Sequence, residues 1–504
     1  MGIVFRQSAK TSLVVIMGAA LGALVIWLST NFIPDKHQFG FTQDLTNRAV
    51  ALSQVLIFGL NSTLGVYIHR YANDDRKRKL LIATCLILPF IFTILICVPY
   101  FLLRPWIIGH FQPADIPFWQ RYFMWLPVYC LFFIYQAMLE TYLGSQMKVA
   151  LAAFIREVVL RLLFITLIVL FGFQYISFHT LVTGMVLIYM LPVSVFYFLS
   201  LKTKGFGLSL RLRSFSIAEY KELIHFSWYH LLLSITFMLM SYMDMLLIPF
   251  YDHGGYGSLA VYRVAIFLVV LITLPSKALI PASFTVLARA FADKDMAKAK
   301  DLFIRSSINI LIPTIGISIL IVCNLQNAVD VIKNGYSQII PLFLILFIGN
   351  FVNQATGMND QVLSIANYYK FNFYLALVIV VFFFVMIRTF VPRYGLYGAA
   401  WSTTSIIMVF NIAKCIFVWK KLGMLPFSYR SILVAIAALP ALAAGYFFPH
   451  FFNPAHHVYT HTFIDVALRS TVIIVTYALM LLWLKPSPDL EEYVIQIKKN
   501  KRLF

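Results

Sequence analysis

Residues 76–103 read RKRKLLIATCLILPFIFTILICVPYFLL. Four consecutive cations are followed by a long run without a single charge. A run of about 20 apolar residues spans the hydrocarbon of a bilayer as an α-helix. Lipid offers the backbone no hydrogen-bond partner, so a crossing segment is either a helix or a strand of a closed barrel. A barrel strand would alternate apolar with polar residues, and this run does not. Similar stretches recur about fourteen times, at 12–33, 49–68, 81–103, 121–143, 155–172, 179–200, 225–249, 260–283, 306–325, 338–358, 373–391, 396–418, 431–451 and 464–484. The predicted class is all-α, a polytopic membrane protein.

The cations sort between alternate gaps. With the N-terminus inside, inner segments hold about 30 of them and outer ends about nine, a bias of roughly three to one. The inner set includes Arg6, Lys10, Arg70, Arg76 to Lys79, Lys148, Arg156, Arg161, Lys202, Arg289 to Arg305, and Lys414 to Arg430. The outer set includes Lys36, Arg48, Arg104, Arg263, Arg388 and Arg469. Both termini are therefore expected in the cytoplasm, with Arg76 to Lys79 inside and His456 to His461 outside. The net charge of +20 reflects this topology. It is scattered over short loops, which argues against nucleic-acid binding.

Several other classes drop out. The first span is long, and no small-residue cleavage site follows it before Pro34, so it does not read as a cleaved signal peptide. Cys85, Cys97, Cys130, Cys323 and Cys415 all fall in spans, with no metal or redox spacing. His456, His457 and His461 have no nearby acidic or Cys partner, so no metal is expected. No Gly-rich loop with Lys and Ser/Thr exists to hold ATP. The gaps are too short for a catalytic domain, so the chain is expected not to be an enzyme and to need no cofactor.

Two stretches resemble each other. One is NRAVALSQVLIFGLNSTLGVYIHRYANDDRKRKLLIATCLILP (47–89). The other is YRVAIFLVVLITLPSKALIPASFTVLARAFADKDMAKAKDLFIRSSINILIP (262–313). Each opens with an arginine, Arg48 or Arg263, runs one span, reaches a basic loop with an Ala-Asx-x-Asp element, and returns to a proline. The sixth and twelfth spans also end alike, in YFLSLKTKGFGLSL and CIFVWKKLGMLPFS. The predicted organisation is an N-terminal six-helix lobe (1–222), a pseudo-symmetric six-helix lobe (223–422), and two appended helices with a tail (423–504). Parallel repeats are a transporter design, with the substrate held between the halves.

The opening FRQSAKTSLVVIMGAALGALVIWLSTNFI (5–33), YMDMLLIPF (242–250) and YGSLAVYRVAIFLVVLITLPSKALIPASFTVLARAFADKD (256–295) carry a family likeness. On these residues the chain resembles oligosaccharide flippases of the polysaccharide-biosynthesis type, which serve O-antigen and lipopolysaccharide assembly. They belong to the superfamily that also holds lipid II flippases and multidrug extruders. The resemblance implies a cargo of oligosaccharide on undecaprenyl pyrophosphate, turned from the inner to the outer leaflet of the bacterial cytoplasmic membrane. It also implies work alongside polysaccharide polymerase machinery. Lipid II flippases place arginine in the first helix, whereas Leu13 to Phe32 carries no charge here. Multidrug extruders stop at twelve spans with an acid in the first. Both departures favour the polysaccharide branch. The alternatives are an ion-coupled small-molecule exporter of the same superfamily and a membrane glycan polymerase or ligase.

At 100° per residue, polar side chains align on four spans. They are Asn47, Gln54, Asn61 and Gly65; Tyr129, Gln136, Glu140 and Gly144; Ser227, His230, Ser234, Ser241 and Asp244; and Asn350, Asn353, Gln354, Gly357 and Asp360. Polar groups are costly toward lipid, so these stripes read as interhelical hydrogen bonds or as the lining of a polar cavity. Asn61, His230, Ser234, Asn350, Asn353 and Gln354 are the predicted substrate contacts on them. Lys277 stands alone in an apolar helix, where it either snorkels or meets an anion. Through the resemblance Lys277, Arg48 and Arg263 become candidates for the pyrophosphate. Glu140, Asp244 and Asp360 are the candidates for coupling to H⁺ or Na⁺. Two structural readings compete with these: Glu140 could pair with Arg156 or Lys148, and Asp244 with Arg263.

Overall fold

The computed structural model describes residues 2–146, 148–203, 205–209, 211, 214–332, 336–449, 458–489 and 491. Among the described residues every regular element is a helix. In the N-terminal half these are α1 (Gly2–Phe32), α2 (Lys36–Leu56), α3 (Leu60–Arg70), α4 (Asp75–Leu102), α5 (Arg104–Ile108), α6 (Ile116–Tyr122), α7 (Trp125–Ser145), α8 (Val149–Phe154), α9 (Leu160–Gly172), α10 (Phe178–Leu187), α11 (Met190–Leu201) and α12 (Ile217–Tyr251). There follow α13 (Gly255–Ile272), α14 (Leu274–Ala292), α15 (Met296–Cys323), α16 (Leu325–Asp330), α17 (Ile339–Ala355), α18 (Asn359–Ile365), α19 (Tyr369–Leu422), α20 (Tyr429–Tyr446) and α21 (Val458–Leu484). A π-helical turn, Ile155–Val159, joins α8 to α9.

Each apolar stretch seen in the sequence overlaps helix among the described residues. Among the described residues nine helices are long and apolar enough to cross a bilayer, or eleven if each bent pair is one span. The protein is a multi-pass membrane protein. Helix starts in polar loops are capped as their residues dictate. Asp74 accepts from the amides of Arg76 and Lys77, and Ser216 forms a capping box with Glu219.

Three features depart from the sequence reading. The second span starts at Lys36, so Arg48 lies inside a helix rather than at its outer end. The segment KHQFGFTQDLTNR is too polar to read as a span, and His37, Gln43, Asp44 and Arg48 bond partners within the fold. That span then bends by 48° between α2 and α3. Phe58 and Gly59 both take positive φ there, 56° and 69°. A Cβ on Gly59 would lie 2.2 Å from the Ser227 carbonyl oxygen, so no larger residue fits. The eleventh and twelfth spans are joined into one long α19, interrupted at Gly395 (φ 55°, ψ −138°).

By internal contacts the chain forms two compact units. Residues 1–263 with 380–399 make the first; 264–379 with 400–504 make the second. The first is held by α2 packed on α7 and α12. Its aromatic core centres on Phe41, which meets Phe118, Trp119, Tyr122 and Tyr256 with ring centroids 5.1–5.9 Å away. Gly40 permits this, since its Cβ would sit 1.9 Å from the Tyr256 carbonyl oxygen. In the second unit α15, α20 and α21 pack together. Ala437, Ala441 and Gly445 form a small-residue stripe on α20 at helical spacing. A Cβ on Gly445 would meet the Ile473 side chain at 2.7 Å.

Candidate functional site

The first unit carries charged and aromatic polar side chains on α2, α7, α9, α12, α13 and the π turn. Glu140 on α7 bonds the Arg156 guanidinium. Arg156 Nε also donates to Glu157 Oε1 at 3.1 Å. Glu157 in turn holds Arg161 Nη2 at 2.6 Å through its Oε2. Arg156 and Glu157 sit on the π turn, a distortion that redirects side chains and recurs at functional sites. Helix α1 packs against this turn. Gly18 makes the room: a Cβ there would lie 2.9 Å from Glu157 Cβ.

Tyr189 lies within electrostatic reach of Arg161, Glu157 and Tyr242. Its ring meets Tyr129 at 5.2 Å. Tyr129 OH is 3.3 Å from Thr46 Oγ1 on α2. Arg263 on α13 lies within reach of Tyr242, Arg161 and Asp244, and its Nε donates to Gln43 Oε1 at 3.0 Å. Arg161 and Arg263 are only half-buried. An arginine facing lipid at the centre of a span would cost about 2.5–3.5 kcal/mol or more, so these guanidiniums favour polar surroundings. Each carries five N–H donors, and the bonds just described use one on each. Two like charges with spare donors form an acceptor for an anion.

Arg48 is committed elsewhere. Its Nε donates to Asp44 Oδ2 at 2.6 Å, and Nη2 to the Leu246 carbonyl at 3.0 Å. Its guanidinium lies over Phe250 and Phe111, 4.7 and 5.1 Å from the centroids. Asp44 is fully buried and also accepts from Tyr256 OH at 2.8 Å. Beside this pair Asp115 accepts from the Tyr256 amide at 2.8 Å and meets His37 Nδ1 at 2.7 Å. Burial lifts the Asp115 pKa above the usual carboxylate range, against the pull of these two partners.

The other candidates are placed as follows. Asp244 is buried, accepting from Tyr262 OH at 2.9 Å and from the Met245 amide at 2.7 Å. Glu140 has Arg156, one of the two partners its sequence position allowed. His230 and Ser234 are half-buried on α12. The His230 ring packs on Phe226 at 4.3 Å. Asn61 Oδ1 accepts from the Ser62 amide at 2.8 Å. These residues, with Arg48 and Arg263, belong to the first unit.

In the second unit Lys277 is exposed on the first turns of α14, with no ion pair among the described residues. Asn350 Nδ2 donates to the Leu346 carbonyl at 3.1 Å. The Asn353 carbonyl accepts from Thr356 at 2.9 Å. Gln354 is buried, its Oε1 without a hydrogen-bond partner among the described residues. Asp360 is held by Lys414 Nζ at 3.0 and 2.9 Å and by Asn372 at 3.1 Å. Among the described residues no group of His, Cys, Asp and Glu could hold a metal. His456 and His457 lie outside the described residues, as does the side chain of His461.

Sequence reasoning missed Arg161, Glu157, Lys414 and Asp44 as site residues. Arg161 and Lys414 were counted among the basic inner segments. The signal for the first was Glu157-x-x-x-Arg161 within apolar surroundings, a spacing that pairs charges on one helix face.

No family model matches the sequence, and no curated protein matches it. Solved structures do match. Lipid II flippase MurJ, in an inward closed conformation, superposes with a TM-score of 0.72 at 12% identity, over 94% of this chain and 98% of that one. An inward-facing multidrug resistance MATE family transporter of the MOP superfamily gives 0.61 at 17% identity, over 81% and 94%. A MOP superfamily transporter from Pyrococcus furiosus gives 0.56 at 15%, over 83% and 95%. The chain shares its fold with these transporters. At these identities the likeness is one of fold. It agrees with the superfamily that the quoted sequence motifs suggest.

Proposed function

We propose that the chain is a flippase that moves an undecaprenyl-pyrophosphate-linked oligosaccharide across the bacterial cytoplasmic membrane for surface polysaccharide assembly. The observation that supports this reading is that Arg161 and Arg263, both of intermediate exposure, lie within electrostatic reach of each other in the first unit, although their sequence positions assigned them to opposite sides. A pyrophosphate bridging them would use their spare donors and relieve their mutual repulsion. Tyr129 is buried, which leaves half-buried Tyr189 as the ring that suits the face of a sugar. In the second unit Lys277, exposed and without an ion pair among the described residues, remains a candidate cation for an anionic cargo. The polyprenyl tail stays in lipid, because moving it into water would cost about 0.8 kcal/mol per CH₂.

Coupling to H⁺ or Na⁺ belongs to the same proposal. Of the three acidic candidates, Asp360 is the one whose protonation has the clearest structural consequence. Its partner Lys414 is buried, and neutral Asp360 would leave that ammonium without a counter-charge. Work with a polysaccharide polymerase would follow from the cargo. The test is deletion: lipid-linked oligosaccharide should accumulate in the inner leaflet and be exported again on complementation. Unchanged export with increased sensitivity to cationic drugs would favour a small-molecule exporter instead.

A further inference from the structure

Beside the bend of the second span, the first unit holds a cavity of about 530 Å³ that the transport reading does not use. The bend at Phe58 and Gly59 carries α3 away from the line of α2. The space left is bounded by the first half of α4, from Leu80 to Phe92, and by the start of α12, from Tyr220 to Ser227. The size is that of ligand pockets in general.

Its chemistry is one-sided. The walls are Leu, Ile and Phe apart from Thr63, Thr84, Cys85, Tyr220 and Ser227. Most of those polar groups are already spent. Thr63 and Ser227 hydroxyls bond each other at 2.6 Å, Thr84 donates to the Leu80 carbonyl at 2.8 Å, and Cys85 reaches the Leu60 carbonyl at 3.8 Å. A water needs two to four polar partners, and these walls offer few. The space suits hydrocarbon. Ile91 and Ile224 on its rim are exposed, 42% and 62%, so a chain can enter sideways from the bilayer.

The rim toward the Arg70–Asp75 turn is basic. Most of its charges are paired: Lys77 with Glu219 at 2.7 Å, Arg70 with Glu222 at 2.5 Å, and Arg78 and Lys79 with Asp75 at 2.5 and 2.6 Å. Arg76 and Lys221 have no ion pair among the described residues, and both are exposed. Arg76 precedes the wall residue Leu80 by four positions on α4. Lys221 precedes the wall residue Ile224 by three on α12. Each therefore sits one helical turn beyond the cavity on its helix face.

We infer that this is a binding site for an anionic phospholipid of the leaflet next to the Arg76–Lys79 loop. One acyl chain fills the cavity, and the phosphate meets Arg76 and Lys221. The site is separate from the Arg161–Arg263 pair and stands whatever the cargo is. The experiment places the full chain in nanodiscs of phosphatidylcholine with a small share of phosphatidylglycerol bearing a diazirine on one acyl chain. After irradiation, adducts are mapped by peptide mass spectrometry. The site predicts adducts concentrated on Leu88, Phe92 and Ile224, and few from a matching phosphatidylcholine probe. Joint Arg76→Ala and Lys221→Ala should lower phosphatidylglycerol adducts on the order of tenfold, as loss of two interfacial cations predicts. Leu88→Trp should remove them by filling the space. Equal labelling by both probes, or adducts spread evenly over lipid-facing helices, would overturn the inference, and both are read on the unmodified chain. Displacement of the probe by undecaprenyl phosphate at equal concentration would also overturn it, assigning the cavity to a polyprenyl chain.

Discussion

Glu157 on the π turn holds Arg161, four residues further on in α9, by a 2.6 Å hydrogen bond. The carboxylate fixes one arm of the guanidinium and leaves the rest of its donors available. Arg161→Ala and Arg263→Ala should each lower glycan export by about 10-fold to 100-fold, the loss of a charge-assisted hydrogen bond. Membrane abundance should hold for both, because each is half-exposed. Lysine at either position should restore part of the activity, since charge survives but the fork does not. Export and abundance measured together in complemented deletion cells check this.

Lys277 makes a sharper case, because nothing in the described structure depends on it. Its replacement by alanine should change stability by less than about 0.5 kcal/mol, as at an exposed site without partners. Export should nevertheless be lost, and Lys277→Arg should retain part of it. Normal export by Lys277→Ala would leave the lysine as a snorkelling side chain.

Arg48 should behave in the opposite way. Arg48→Ala leaves Asp44 buried and uncompensated, which costs about 3–5 kcal/mol for a broken buried pair. The expected result is loss of folded protein, read by thermal melting in detergent. Asp44→Asn combined with Arg48→Met should recover most of that loss, because Tyr256 OH keeps an acceptor. An export defect in Arg48→Ala at full abundance would instead place Arg48 in substrate contact.

Asp360 and Lys414 give a coupled test. Asp360→Asn should destabilise by about 1–2 kcal/mol, less than for a fully buried pair because the carboxylate is half-exposed, and Lys414→Met in addition should relieve it. If the pair couples transport to a proton gradient, the double variant folds yet its transport no longer responds to an imposed pH difference. Transport by reconstituted protein at two external pH values reads this.

These contrasts show where the sequence was legible. The spans from 81 to 103 and 225 to 249 announce themselves, because lipid demands unbroken apolar helix and the residues obey. The first half of α2 does not, because Gln43, Asp44 and Arg48 are paid for by partners far along the chain, namely Arg263, Tyr256 and Leu246. Lys414 looked like part of a basic inner loop, since its carboxylate lies 54 residues earlier. Arg161 looked the same, because a π turn is invisible to helical periodicity. Glu140 was the easier case: its two possible partners were near in sequence, and the structure chose Arg156. The likeness in fold was readable from diffuse motifs, whereas the companions of single polar side chains are assembled only by the fold.

The central claim is that the chain turns over a lipid-linked oligosaccharide, with Arg161 and Arg263 at its pyrophosphate. The direct measurement uses purified protein in liposomes loaded with undecaprenyl-pyrophosphate oligosaccharide, and a glycan-cleaving enzyme added outside. The account predicts that the protected inner half of the glycan becomes cleavable with unmodified protein, and stays protected with the joint Arg161→Ala and Arg263→Ala variant. A glycan that stays protected with unmodified protein, or an exchange rate untouched by removing both arginines, would contradict it.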